Sequence, residues 1–189
     1  IILSTGMSSY DEIEKSIDLL NKNFKKNITI LHCISSYPAP FNSVNLKNLS
    51  ELSERFKYPV GFSDHTLGNE CAIASVALGA IMIEKHVTFD KDANGPDHKA
   101  SATIEEFEKL VNNIRNIELA LGNKLRVISN KETETRDVAR KSIVSKRDLE
   151  VGSVLKADDF CFKRPGTGFL PIQIEEVIGK KVIKKIEKD

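Results

Sequence analysis

Tryptophan is absent from this 189-residue chain, and only two methionines and three cysteines are present. The cysteines, Cys33, Cys71 and Cys161, are odd in number, far apart and free of any CxxC pair. That pattern supports neither a disulfide framework nor a zinc knuckle, and reduced thiols in the cytoplasm are the simplest reading. No run of about 18 apolar residues is available to cross a membrane, and no basic-then-apolar signal segment opens the chain. Charge of one sign is lacking too: 28 Lys and Arg against 27 Asp and Glu leave a formal +1. Neither nucleic acid nor an anionic membrane is therefore indicated as a partner. Lys180-Lys181 and Lys184-Lys185 read as an ordinary solvated face. There is no starting Met; the chain opens on Ile1-Ile2-Leu3, like a strand cut from something longer.

What is present is the composition of a globular protein, 40% hydrophobic and 29% charged. Over residues 1–122 short apolar runs alternate with amphipathic stretches. Ile1–Leu3, Ile28–Cys33, Val60–Phe62 and Ile81–Lys85 read as strands. Ser9 with Glu12, and Thr103 with Glu106, have the spacing of capping boxes. They precede helical faces made by Ile13, Ile17, Leu20 and Phe24, and by Phe107, Leu110, Ile114, Ile117 and Leu121. Leu46, Leu49, Leu52 and Phe56 mark another helix, and a small-residue helix through Ala72, Val76 and Ala77 stops at Gly79. Four strand–helix units predict a parallel sheet covered by helices, either a small open sheet or half of an eightfold barrel. Residues 123–137 are polar and without period, as in a linker. From residue 138 short apolar pieces broken by turns predict a compact β-rich module.

In a parallel sheet the strand ends project to one rim. Here they would bring together Ser4, Ser35, Tyr37, Ser63, His65 and His86, with Asp97 and His98 in the loop that follows His86. Imidazole suits divalent transition metals, and two imidazoles leave positions open for substrate oxygens. Spacing alone leaves two options for His65, a metal ligand or a donor to a backbone carbonyl. His32, inside a strand, reads as a satisfied core histidine, and His98 as a site or surface-loop residue. Ser4 is the better phosphate candidate, since Ser9 reads as a helix cap. Arg164, before Pro165-Gly166-Thr167-Gly168, would be held on a rigid turn with its fork free for a carboxylate, for hydroxyls or for a surface salt bridge.

Taken together, these segments resemble the sialic acid synthase family, meaning the N-acetylneuraminate and legionaminate synthases. The resemblance is carried by Leu3-Ser4-Thr5-Gly6-Met7-Ser8, Leu31-His32-Cys33, Tyr37-Pro38-Ala39-Pro40, Phe62-Ser63-Asp64-His65-Thr66-Leu67-Gly68, Ile83-Glu84-Lys85-His86 and Gly95-Pro96-Asp97-His98-Lys99-Ala100-Ser101. Lys163-Arg164-Pro165-Gly166-Thr167-Gly168 is similar to the antifreeze-like (SAF) domain of that family.

The resemblance implies an α/β fold: the last four units of a TIM (β/α)8 barrel over 1–122, a linker over 123–137 and a SAF domain over 138–189. It implies condensation of phosphoenolpyruvate with an N-acetylmannosamine-type sugar, giving a sialic or related nonulosonic acid and phosphate. By resemblance His65 and His86 ligate Mn²⁺ or Mg²⁺, Ser4 and Ser63 hold phosphoenolpyruvate, and Tyr37 and Asp97 meet the sugar. Ser35 stands where the family commonly has Asn, a departure that bears on its substrate contact. Arg164 matches an arginine that one subunit lends to its partner in a domain-swapped homodimer. The family's first half-barrel, with its substrate-binding acid and phosphate-binding lysine, has no counterpart here, so the sequence reads as a fragment expected to be inactive alone. The alternatives are a non-catalytic carbohydrate-binding module on a half-barrel scaffold, and another metal-dependent aldolase. Between neuraminate-type and legionaminate-type acceptors the sequence does not choose.

Overall fold

The computed structural model describes residues 1–24, 27–164 and 168–189. The chain divides into two compact units, Ile1–Asn123 and Lys124–Asp189.

The first unit is a half-barrel of four parallel strands in the order β1-β2-β3-β4: Ile2–Ser4, Thr29–Cys33, Val60–Asp64 and Ile83–Lys85. Its helices are α1 (Tyr10–Phe24), the single turn α2 (Phe41–Val44), α3 (Asn48–Phe56), α4 (Glu70–Ala77) and α5 (Ile104–Leu121). The predicted caps form. Glu12 reaches back to the Ser9 N–H at 2.8 Å, and Glu106 to the Thr103 N–H at 2.9 Å while the Thr103 hydroxyl accepts from Glu106 N. Each box thereby satisfies two backbone donors, those of the cap residue and of the glutamate three residues on, before the apolar face begins.

Strand alternation gives the sheet two faces with different jobs. The registers Leu3↔Ile30, Ile30↔Val60 and Phe62↔Ile83 place these apolar residues on the helix-covered face. There Ile30 and Phe62 are buried with Ile13, Ile17, Leu49 and Leu52 in one core. The registers Ser4↔Leu31, Cys33↔Ser63 and Ser63↔Glu84 put Ser4, Cys33, Ser63 and Glu84 on the other face. The run predicted as a strand over Ile81–Lys85 is shorter as a ladder, starting at Ile83, although Ile81 N–H already donates to Val60 O.

In the second unit β5 (Ser142–Ser145) pairs antiparallel with β6 (Phe160–Lys163). Leu149, Leu155, Phe160 and Val182 form its small core, and the bridges Leu149↔Ile186 and Val154↔Lys181 fold the tail back onto it. The polar stretch that the sequence assigns to an aperiodic linker is instead helical over Asn130–Ala139 (α6). Ser129 caps it by accepting from Glu132 N–H. A last turn, α7, spans Ile174–Val177.

Candidate active site

Among the described residues the polar groups of the site face lie toward the carboxyl ends of the strands, Ser4 on β1, Ser63 on β3 and Glu84 on β4. His65 follows β3 and is buried; His86 follows β4 and is half-buried. Their rings stand edge to face with centroids 5.2 Å apart. Residue parity explains the meeting: 63 and 65 share a face, 84 and 86 share the same one, and Ser63 pairs with Glu84.

The orientation of His65 is set from behind. Its Nδ1 lies 2.8 Å from Ile34 O, and its backbone carbonyl accepts from Ala39 N–H at 2.8 Å. A carbonyl cannot donate, so Nδ1 carries the proton and the lone pair of the neutral ring is on Nε2. Ser63 Oγ lies 3.4 Å from that Nε2 and donates to Glu84 Oε1 at 2.7 Å. Of the two sequence options for His65, the bond to a backbone carbonyl is the one observed, and it is compatible with the other because it leaves Nε2 uncommitted to that carbonyl.

Tyr37 roofs the pair, its ring 4.2 Å from that of His65 and 5.4 Å from that of His86. It is half exposed, with one ring face against the imidazoles. Asp97 approaches from the loop after β4: its carboxylate is 3.9 Å from His86 Nδ1, and its backbone carbonyl accepts from Ala100 N–H, Ser101 N–H and the Ser101 hydroxyl. Ser63, His65, His86, Tyr37 and Asp97 are therefore gathered in one place.

The other predicted residues are placed differently. Ser4 ends β1 on the site face, in register with Leu31 rather than with the imidazoles. Ser35 packs against the turn after β1, where a Cβ on Gly6 would run into Ser35 Oγ, so a larger residue at 6 would force that hydroxyl to another rotamer. Arg164 is exposed, just beyond β6 in the second unit, and the turn predicted to hold it, residues 165–167, lies outside the described residues. His32 is the core histidine that its position suggests. It is buried, bonded at Nε2 to Val44 O at 2.7 Å and stacked on Phe62, and burial holds its pKa below the usual imidazole value. His98 ties down the Asp97 loop through Thr88 Oγ1, 2.7 Å from its Nδ1.

Glu84, the acceptor for Ser63, is a site residue that site-by-site reading of the sequence passes over. Its signal was its parity with His86 on the same strand. Among the described residues no group of three or more His, Cys, Asp and Glu side chains could hold a metal ion. The protein side of a metal site would thus be the two imidazoles, a donor set whose remaining positions suit water or substrate oxygens.

A half-barrel with its polar groups at the carboxyl ends of the strands has the layout of a (β/α)-barrel enzyme site. The chain belongs to the NeuB family, which matches residues 1–126, and a SAF domain matches residues 140–189. It is 45% identical to the N,N'-diacetyllegionaminic acid synthase of Campylobacter jejuni, over 100% of this chain and 57% of that protein. To the human N-acetylneuraminate-9-phosphate synthase it is 34% identical, over 100% of this chain and 53% of that one. Among solved structures, an N-acetylneuraminic acid synthetase from Leptospira borgpetersenii superposes with a TM-score of 0.64 at 38% identity, covering 70% of this chain and 46% of that one. The chain spans about half the length of the curated relatives it matches.

Proposed function

We propose that this chain provides the metal and sugar wall of an active site that condenses phosphoenolpyruvate with an N-acetylmannosamine-type sugar, forming a sialic-type nonulosonic acid and phosphate. The observation that carries the reading is the paired imidazoles, with His65 Nδ1–H committed to Ile34 O and the lone pair left on Nε2. When bound there, Mn²⁺ or Mg²⁺ would supply Lewis-acid polarisation of the sugar carbonyl. Ser63, bonded to Glu84, would present its oxygen to phosphoenolpyruvate, and Ser4 and Ser35 would extend that side. Tyr37 offers an apolar ring face beside the imidazoles, and Asp97 a carboxylate for sugar hydroxyls. Arg164 would complete the sugar contacts from the second subunit of a domain-swapped homodimer. The described helices include none long and apolar enough to cross a membrane, and the free thiols suit the cytoplasm. An open sheet walls the site on one side only, so the 189-residue polypeptide by itself is expected to release no phosphate.

The test is a Mn²⁺ titration of the chain, followed by the electron paramagnetic resonance signal of free ion. Changing His65→Ala or His86→Ala should weaken binding at least about tenfold, because each removes a ligand and not only its support. Unchanged affinity in both variants would refute the site.

A further inference from the structure

We propose that the buried ion pair Asp64–Lys85 is a positioning device that fixes the spacing of the two site imidazoles. This rests on the reading of His65 and His86 as the metal-holding pair. Lys85 Nζ donates to Asp64 Oδ2 and to Thr66 O, both at 2.9 Å. Asp64 Oδ1 accepts from Thr66 N–H at 2.9 Å and from the Thr66 hydroxyl at 2.7 Å. The side chains are 3% and 0% exposed for Lys85 and Asp64.

Three features point to position rather than stability. First, Asp64 and Lys85 are neighbours on the last rung of the β3–β4 ladder, so beyond them no strand pairing joins the two segments. His65 and His86 are the next residues in the chain. Second, the two histidines are anchored outward, in different directions. His65 is bonded to Ile34 and Ala39, on the β2 side, while the His86 carbonyl accepts from Ala102 N–H before α5. On the helix-covered face the ion pair links the two segments at the rung next to the histidines, with Asn69 Nδ2 to Glu106 O a longer tie farther out, and Ser63–Glu84 joins the strands one rung lower on the other face. Third, the four hydrogen bonds grip both residues flanking His65, so they hold its Cα from the rear of the sheet. A buried ion pair contributes little net stability compared with apolar residues of the same size. What it adds is a directional constraint, and here the constraint falls between two candidate ligands.

The double variant Asp64→Asn with Lys85→Met retains an amide oxygen for Thr66 and deletes the tie to β4. Two readouts separate position from folding. In the metal-free protein, nuclear Overhauser contacts between the His65 and His86 ring protons should be present in the parent chain and lost in the variant. In Mn²⁺ titration the variant should bind at least about tenfold more weakly, the scale on which outer-shell partners of ligands act, with far-UV circular dichroism retained. If the double variant unfolds, Lys85→Gln, which keeps one donor toward Asp64, is read the same way and should show a smaller loss. Retained ring-to-ring contacts together with affinity within about twofold of the parent would overturn the proposal. Failure of the metal reading looks different: no Mn²⁺ binding by the parent chain, or none lost in His65→Ala and His86→Ala. The ring contacts still report on positioning in that case.

Discussion

Gly61 sits in the middle of β3, and replacing it with alanine tests how tightly the site strands are packed. A Cβ there would lie 2.6 Å from Leu31 Cδ2, 2.6 Å from Met82 O and 2.9 Å from Met82 Cβ, where real Cβ contacts essentially never fall under 3.0 Å. The leucine methyl can rotate away, although Leu31 is fully buried. Met82 O cannot yield as cheaply, because it accepts the Phe62 N–H at 2.9 Å and moving it opens the β3–β4 ladder. Overpacking a core costs about 1–3 kcal/mol, and a backbone obstacle places Gly61→Ala near the top, about 3 kcal/mol. For a unit of this size that lowers the melting temperature on the order of 10 °C. Urea unfolding followed by far-UV circular dichroism measures the loss. Gly79→Ala is the control: its φ is +99° and no atom lies within 4 Å of the added Cβ, so only backbone strain of about 1–2 kcal/mol is expected. Adding Leu31→Val to Gly61→Ala should restore only part of the loss. A Gly61→Ala chain within about 0.5 kcal/mol of the parent would refute the argument, since that is the range of an inconsequential surface change.

The buried His32 gives the first unit a pH dependence. Burial depresses its folded pKa below the usual 6.5, so its contribution is present above 6.5 and is lost as pH falls through the folded value. Unfolding midpoints compared between neutral and mildly acidic buffers should fall on the acid side, and His32→Gln should flatten that slope. Thr103→Ala removes the acceptor for Glu106 N–H at the start of α5 and should cost about 1 kcal/mol, measured by the same urea titration.

The elements whose sequence carries both a period and a cap were legible before the structure: α1 behind Ser9 and Glu12, and α5 behind Thr103 and Glu106. The convergence of His65, His86 and Tyr37 was legible as well, since it follows from strand ends sharing one rim. Other features leave no such trace. The helix α6 has no apolar stripe, and its residues 130–138 are all exposed; its visible signal is the serine cap, which a search for periodicity overlooks. The acceptor that orients His65 is the carbonyl of Ile34, a backbone group present at every position in any sequence. Asp64 and Lys85 lie 21 residues apart, and only the register of two strands makes them partners. Arg164 remains a sequence expectation, because the role that the resemblance implies for it would need a second subunit.

The two faces of the sheet interlock at a single step of the chain. Asp64 and His65, like Lys85 and His86, are neighbours that point to opposite sides. If β4 slid by one residue against β3, an ammonium would enter the candidate metal site and an imidazole would enter the apolar layer beside Phe62. The buried carboxylate of Asp64 would then lose its counter-ion. Misregistered chains are therefore penalised on both faces at once, so the arrangement works as a proofreading code for assembly: a half-barrel that has folded correctly has, by the same event, built its site.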